Sequence, residues 1–233
     1  MVLLTCSFTF KHYGEIIKKA LSEGYVFYSF NDYLKKKPSG KIFLLRHDVD
    51  NHFNKAKEFA LIENSLGVKA TYFFRVHAAY NLFEYNNFKD LRFIDESGHE
   101  IGLHAEVGDF DLFNKGIGCE ELLRRDKAYL EACLGHKITG VAPHRDWDYQ
   151  VNTLSIVEKM NLKEFGFEYH AYQEEFHGGV GENASGVKYL SETFKPHLTW
   201  REECPCKFVG KKEKICLMTH PAWWFHEHPR ERE

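Results

Sequence analysis

Along the chain, short apolar runs alternate with segments whose apolar residues recur every three or four positions, the rhythm of strands followed by amphipathic helices. Tyr13, Ile16, Ile17, Ala20 and Leu21 share one helical face, and Gly24 can end that helix. Tyr25 to Tyr28 reads as a strand, Asn31 as the cap of a short helix through Tyr33 and Leu34, and Lys35 to Gly40 as a basic loop. Ile42-Phe43-Leu44-Leu45 is a run of the kind that fills a strand buried on both faces. Phe53, Ala56, Phe59, Ala60, Ile62 and Leu66 predict a helix stopped by Gly67, and Ala70 to Phe74 the next strand. Phe88, Leu91 and Ile94 predict a helix ending at Gly98, followed by a strand over Glu100 to Leu103. The acidic stretch from Glu106 to Gly118 has no period and reads as a loop; a long helix then runs from Cys119 to Gly135. Strands at Ile138 to Ala142, Phe165 to Tyr169, Val187 to Leu190 and Ile215 to Met218, a helix at Val151 to Met160 and a Gly-rich loop around His177 to Gly186 complete the order.

Strands and helices in this alternation predict parallel βαβ units, in a barrel or an open sheet. No linker or change of composition divides the 233 residues, so one domain is expected over residues 1–225, with a charged tail at 226–233. The 31 basic and 34 acidic residues are mixed along the chain, which gives no footprint for nucleic acid or a charged membrane surface. No apolar run is long enough to cross a bilayer, and Met1 to Phe10 lacks the basic start of a signal peptide, so the expected location is the cytoplasm. The abundant aromatic residues suit a packed core, a sugar-stacking surface or a homo-oligomer interface alike. Cys204-Pro205-Cys206 is the one cysteine spacing suited to a soft metal; with no second pair nearby, no such site is expected.

In a parallel α/β fold, reactive groups collect at the carboxyl ends of the strands. The apolar run from Ile42 leads into Arg46-His47-Asp48-Val49-Asp50, where Asp48 and Asp50 fall on one face of the strand. Two carboxylates so placed suit a metal site in which one binds the ion and the other handles protons; alternatively Asp50 or Asn51 caps the following helix. Three further strands run into His104, His144 and His220. One strand-end histidine is weak evidence, whereas four strands ending in Asp, His, His and His point to one site. His99, at the start of its strand, is expected to be structural.

Three stretches, Arg46 to Asp50, Gly98-His99-Glu100-Ile101-Gly102-Leu103-His104 and Leu217-Met218-Thr219-His220-Pro221-Ala222-Trp223-Trp224, together resemble the polysaccharide deacetylase superfamily, also called the NodB-homology or carbohydrate esterase family 4 group. The nearest branch is the one whose first motif reads Arg-His-Asp-Val-Asp. The resemblance implies a distorted (β/α) barrel with about seven parallel strands, a divalent metal at its mouth with zinc the first candidate, and hydrolysis of an N-acetyl group from an amino sugar or glycan precursor. It implies Asp48 as catalytic base, Asp50 and His104 as metal ligands, and His220 as the acid that protonates the leaving amine. The pattern departs from the family where a further ligand is usual four residues after His104, at Gly108. His144 is the first choice for the third ligand, with Glu106 and Asp109 in reserve. Arg145 and Arg46 are candidates to orient Asp48. Trp223 and Arg46 are expected on the substrate; Trp223 or Trp224 could stack on a sugar face, with core or rim packing the alternative for both tryptophans. Tyr189-Leu190-Ser191-Glu192 resembles the fourth motif, with Glu in place of Asp. Two other readings stay open: a metal-independent amidohydrolase acting on a small non-sugar amide, and a sugar-binding protein without turnover.

Overall fold

The structure, a computed structural model, describes residues 6–108, 117–144, 152–178, 186–194 and 197–227. The first helix, α1 (Phe10–Ser22), is capped by Thr9, whose hydroxyl accepts from the His12 amide, and it buries Tyr13, Ile16, Ile17 and Ala20. After β1 (Val26–Tyr28) comes α2 (Phe30–Lys36), capped by Ser29 and not by Asn31: the Ser29 hydroxyl takes the Asp32 amide. β2 (Ile42–Val49) is buried along its whole length, as its apolar run predicts. α3 (Phe53–Ser65), β3 (Thr71–Arg75), α4 (Tyr85–Glu96) and β4 (Glu100–Ala105) follow, and α5 (Cys119–Leu134) ends where Gly135 turns left-handed.

β5 (Gly140–Pro143) and a short helix, α6 (Thr153–Val157), lead to the largest difference from the expected order. The predicted strand over Phe165 to Tyr169 is a 3-10 turn ending at Phe165, then the two-residue strand β6 (Tyr169–His170). Phe165, Phe167 and Tyr169 are buried in strand-like alternation, but Gly166 adopts φ 73° and bends the chain out of a ladder. α7 (Glu174–His177), β7 (Val187–Thr193), the short β8 (Thr199–Trp200), which the sequence pattern misses, and β9 (Lys214–Thr219) complete the described elements.

Seven strands pair in parallel in the order β6-β5-β4-β3-β2-β9-β7, and β1 makes an eighth parallel strand where about seven are expected. β1 adds in parallel to Ile42–Leu44 of β2, below the stretch that pairs with β3, and β8 closes the far edge antiparallel to β7. The sheet curls into a distorted half-barrel: α7 follows β6 at one end of the order yet packs on β7 near the other. The period of two then sorts every strand. Phe43, Leu45, Tyr72, Phe74, Ile101, Leu103, Ile215 and Leu217 face outward into one core with the helices. Leu44, Phe73, Ala142, Tyr169 and Cys216 face inward, where Phe30 and Phe176 plug the lower end of the barrel with stacked rings 3.9 Å apart. Residues two further along the same inward rows stand above this plug, and they carry the chemistry. Among the described residues no helix is long and apolar enough to cross a membrane.

Candidate metal centre

Parallel strands deliver their carboxyl ends to one rim, so Asp48 and Asp50 of β2, His104 of β4, His144 after β5 and His220 after β9 come together there. Arg46, one inward step below Asp48, is fully buried and grips its carboxylate with both edges: Nε donates to Oδ1 at 2.8 Å and Nη2 to Oδ2 at 2.7 Å. Its remaining nitrogen donates to the Ala171 carbonyl at 3.3 Å, and its plane lies 4.3 Å from the Tyr172 ring centre. Burial works against charge on Asp48, but Arg46 beside it, and then His104, hold its pKa below the ordinary carboxylate value. With no exposed surface, Arg46 offers a substrate nothing; its place is behind Asp48, and the expected substrate contact is corrected accordingly.

Asp50 does not cap α3. That place is taken by His52 at φ 51°, a left-handed start without a side-chain cap bond, while the Asp50 carboxylate turns to the rim. Its Oδ1 lies 3.3 Å from His104 Nε2 and 3.9 Å from His144 Nε2, and its Oδ2 3.8 Å from His220 Nε2. Burial opposes its charge, yet His104, His220 and His144 around it hold its pKa far below the usual range. The His104 ring stands 2.7 Å by Nδ1 from the Ala142 carbonyl, to which that nitrogen donates, and this turns Nε2 towards both aspartates. Burial, with His104 next to it, pushes the His144 pKa down to about 3, so this ring is neutral and able to donate a lone pair.

Asp50, His104 and His144 place one donor atom each within 4.8 Å of one another. The fit to a divalent ion rests on Asp50 Oδ1, a buried oxygen with no hydrogen-bond partner among the described residues, facing two imidazole nitrogens. One carboxylate and two imidazoles with a side open to the cavity are the donor set of a catalytic zinc centre. Glu106, a reserve ligand in the sequence reading, instead pairs with Arg75 and lies 3.5 Å from His144 Nδ1, behind the ring. The other reserve, Asp109, and the expected catalytic Arg145 lie outside the described residues.

His220 faces the triad from the opposite side. Glu192 of β7, itself buried, accepts the His220 backbone N–H and sets its carboxylate 3.4 Å from Nδ1. Burial alone would lower the His220 pKa; Glu192 and the aspartates raise it above the ordinary value. Trp223 packs its ring 3.9 Å from the His220 ring and lines a cavity of about 870 Å³ over Asp50, His104 and His144. Tyr172, His177, Tyr189 and Arg201 also line it. Tyr172 and Arg201 stand on a turn and a bend outside the regular elements, where the sequence carries no periodic signal. Trp224, by contrast, is core: it is fully buried among Phe8, Tyr13, Phe59 and Trp200.

A second polar group, also missed, lies on the outer face of the same strands. Glu63 of α3 is fully buried and accepts from the hydroxyls of Tyr13 and Tyr72 and from His47 Nε2 at 2.6 Å, with His99 Nδ1 3.5 Å away. His47 Nδ1 reaches the Thr219 hydroxyl at 2.7 Å, and His47 and Thr219 are register partners between β2 and β9. The residues flanking this clamp are Arg46 and Asp48 on one strand and His220 on the other, so it pins both strands at the level of the site. His99 is structural, as expected.

No family model matches the chain, and no curated protein matches it. Solved structures similar to it include a deacetylase from Streptococcus pyogenes in complex with acetate, at 19% identity and a TM-score of 0.48 over 66% of this chain and 70% of that one. A family 4 carbohydrate esterase from Bacillus anthracis matches at 15% identity and a TM-score of 0.45, over 90% of this chain and 77% of that one. The chitin deacetylase of the fungal pathogen Colletotrichum lindemuthianum matches at 13% identity and 0.44, over 77% and 73%.

Proposed function

We propose that the protein is a metal-dependent hydrolase that removes an N-acetyl group from an amino sugar, with a glycan precursor as its substrate. The observation that carries this reading is the set Asp50, His104 and His144, one donor atom from each within 4.8 Å of the others, with Asp48 and His220 on its two sides. A divalent ion held there, zinc being the best match to the donors, would polarise an amide carbonyl and lower the pKa of a water from about 16 towards about 7. Asp48, kept ionised by Arg46, takes a proton from the attacking water. His220, whose surroundings favour the protonated ring, gives a proton to the departing nitrogen, since an amine leaves badly as an anion. Trp223 supplies an apolar face at the cavity wall against which a sugar ring stacks. The choice of an N-acetyl sugar among amides comes from the three motif resemblances and this wall.

Acetate release from N-acetylglucosamine oligomers, measured with zinc and after chelation, tests the reading. Activity is expected only with metal, and Asp48→Asn is expected to lower it by about 10²–10⁴-fold, the usual worth of a general base. Equal release by the chelated enzyme, or hydrolysis of small cyclic amides with none of the acetylated sugar, would overturn it.

A further inference from the structure

The Cys204-Pro205-Cys206 spacing set aside in the sequence for want of a second pair finds its partners 200 residues away. Cys6, just before α1, and His12, in the first turn of α1, converge on it, and one donor atom from each of the four lies within 4.8 Å of every other. Cys6 Sγ is 3.5 Å from Cys206 Sγ, and His12 Nε2 is 3.1 Å from Cys204 Sγ. With Zn–S of about 2.3 Å and Zn–N of about 2.0 Å, a tetrahedral ion spaces two sulfurs by about 3.8 Å and a sulfur and a nitrogen by about 3.5 Å, so these two separations come close to the edge lengths of that tetrahedron. From this arrangement we propose a second metal site, a structural zinc ion bound by Cys6, His12, Cys204 and Cys206.

Three features beyond the donors fit a zinc site. The His12 ring is oriented from behind, its Nδ1 lying 3.3 Å from the Glu15 carboxylate one turn along α1, which directs Nε2 at Cys204. His12, Cys204 and Cys206 are buried and Cys6 is half-buried, which closes the site to a substrate and gives it the four protein ligands of a structural centre. Three thiolates around a dication leave one net negative charge, and the Lys19 ammonium, which donates to the Cys206 carbonyl, lies beside it. The ion would fasten the segment before α1 to the loop leading into β9, two stretches that otherwise meet through side-chain packing; the main-chain bonds of Phe8 and Phe10 go instead to Phe225, beyond β9. Soft sulfur donors in tetrahedral array separate this site from the oxygen- and nitrogen-lined centre at the rim.

Metal analysis of the full-length protein carrying His104→Ala, which disables the rim site, tests the assignment. That variant is expected to keep about one zinc per chain, as one closed tetrahedral site binds. Adding Cys6→Ser and Cys204→Ser is expected to remove it. Cobalt-exchanged wild type, which needs no cysteine variant to fold, is expected to show thiolate-to-cobalt charge-transfer absorption, and Cys6→Ser alone is expected to weaken that band while leaving acetate release by zinc-loaded enzyme at the wild-type level. A cobalt spectrum without thiolate bands would overturn the proposal. So would a His104→Ala protein without zinc whose Cys6 and Cys206 are recovered in one disulfide-linked peptide.

Discussion

In the proposed reaction Asp48 acts as a base only while it stays ionised and aimed, and both conditions rest on one arginine. Arg46 offers two N–H groups in a fixed plane to two carboxylate oxygens, a match that the single ammonium of lysine cannot reproduce. In Arg46→Lys the Asp48 carboxylate is therefore expected to swing from its aim, and kcat for acetate release to fall about 100-fold, the usual consequence of a misplacement on the order of 1 Å. KM is expected to hold within a few-fold, because Arg46 shows no surface to the cavity. Steady-state kinetics alongside a thermal melt checks this: a KM rise without a kcat loss, or a kcat loss that follows the unfolded fraction, would sink the positioning role. At this scale much was legible. Asp48 and Asp50 share a face because strands repeat every two residues, and His104, His144 and His220 are found in the sequence as reactive side chains at strand ends. The same period puts Arg46 beneath Asp48, but whether an arginine at i−2 reaches the substrate or its neighbour depends on burial, which the strand's own pattern does not reveal. The four ligands of the proposed second site are separated by almost the whole chain, and no local spacing could join Cys6 and His12 to Cys204 and Cys206.

The strands hold the rim groups in place only if the barrel below them is filled without strain. Gly140 of β5 has no side chain because Tyr169 of β6 occupies the space: a methyl there would overlap the Tyr169 hydroxyl and ring. That hydroxyl donates to Glu100 Oε1 at 2.6 Å, whose other oxygen accepts the Asn31 amide and the Thr71 hydroxyl, so one buried carboxylate ties β6, β4, β3 and α2 together. Gly140→Ala is expected to push Tyr169 off Glu100 and to destabilise the fold by about 1–3 kcal/mol, the usual cost of overpacking. For a chain of this length that lowers the melting temperature by several degrees, at roughly 2–4 °C per kcal/mol. Differential scanning calorimetry against Tyr169→Phe, which removes the bond without the overlap, separates the two contributions; a melt unchanged in Gly140→Ala would refute the close fit. The parallel strands and α5 were readable because burial on both faces, or on one stripe, leaves a strong period. Phe165 to Tyr169 was misread for the opposite reason: its alternation of buried and exposed residues is real, but Gly166 takes a left-handed turn and hydrogen bonding never follows. β8, two residues long, carries too little pattern to be read at all.

The whole molecule encloses carboxylates of two opposite kinds, and their opposition shapes its stability against acid. Asp48 and Glu63 are buried, which by itself disfavours their charge, but Arg46 in the first case and His47 in the second hold their folded pKa values below the ordinary 3.8 and 4.5. The unfolded chain takes up protons at those ordinary values while the folded chain does not. The stability these two groups contribute is therefore complete above about pH 4.5 and is lost as pH falls through their folded pKa values. Glu100 and Glu106 run the other way. Burial raises them, so the folded chain keeps protons that the unfolded chain has released, and their contribution shrinks as pH climbs from about 4.5 through their folded values. The limb below 4.5 therefore reports the lowered carboxylates, among them Asp50 and Glu131 together with Asp48 and Glu63, and a single substitution is needed to isolate Glu63. Glu63→Gln keeps the shape of the clamp and removes its charge. It is expected to be less stable than wild type near pH 7 by about 1–3 kcal/mol, the cost of weakening a buried charged hydrogen-bond group. It is also expected to lose less stability than wild type on going from pH 5 to pH 3. Denaturant midpoints across that range decide the matter: acid limbs of equal steepness in the two proteins would mean that Glu63 is not held ionised by His47, and the clamp between β2 and β9 would then be a neutral hydrogen-bonded cluster.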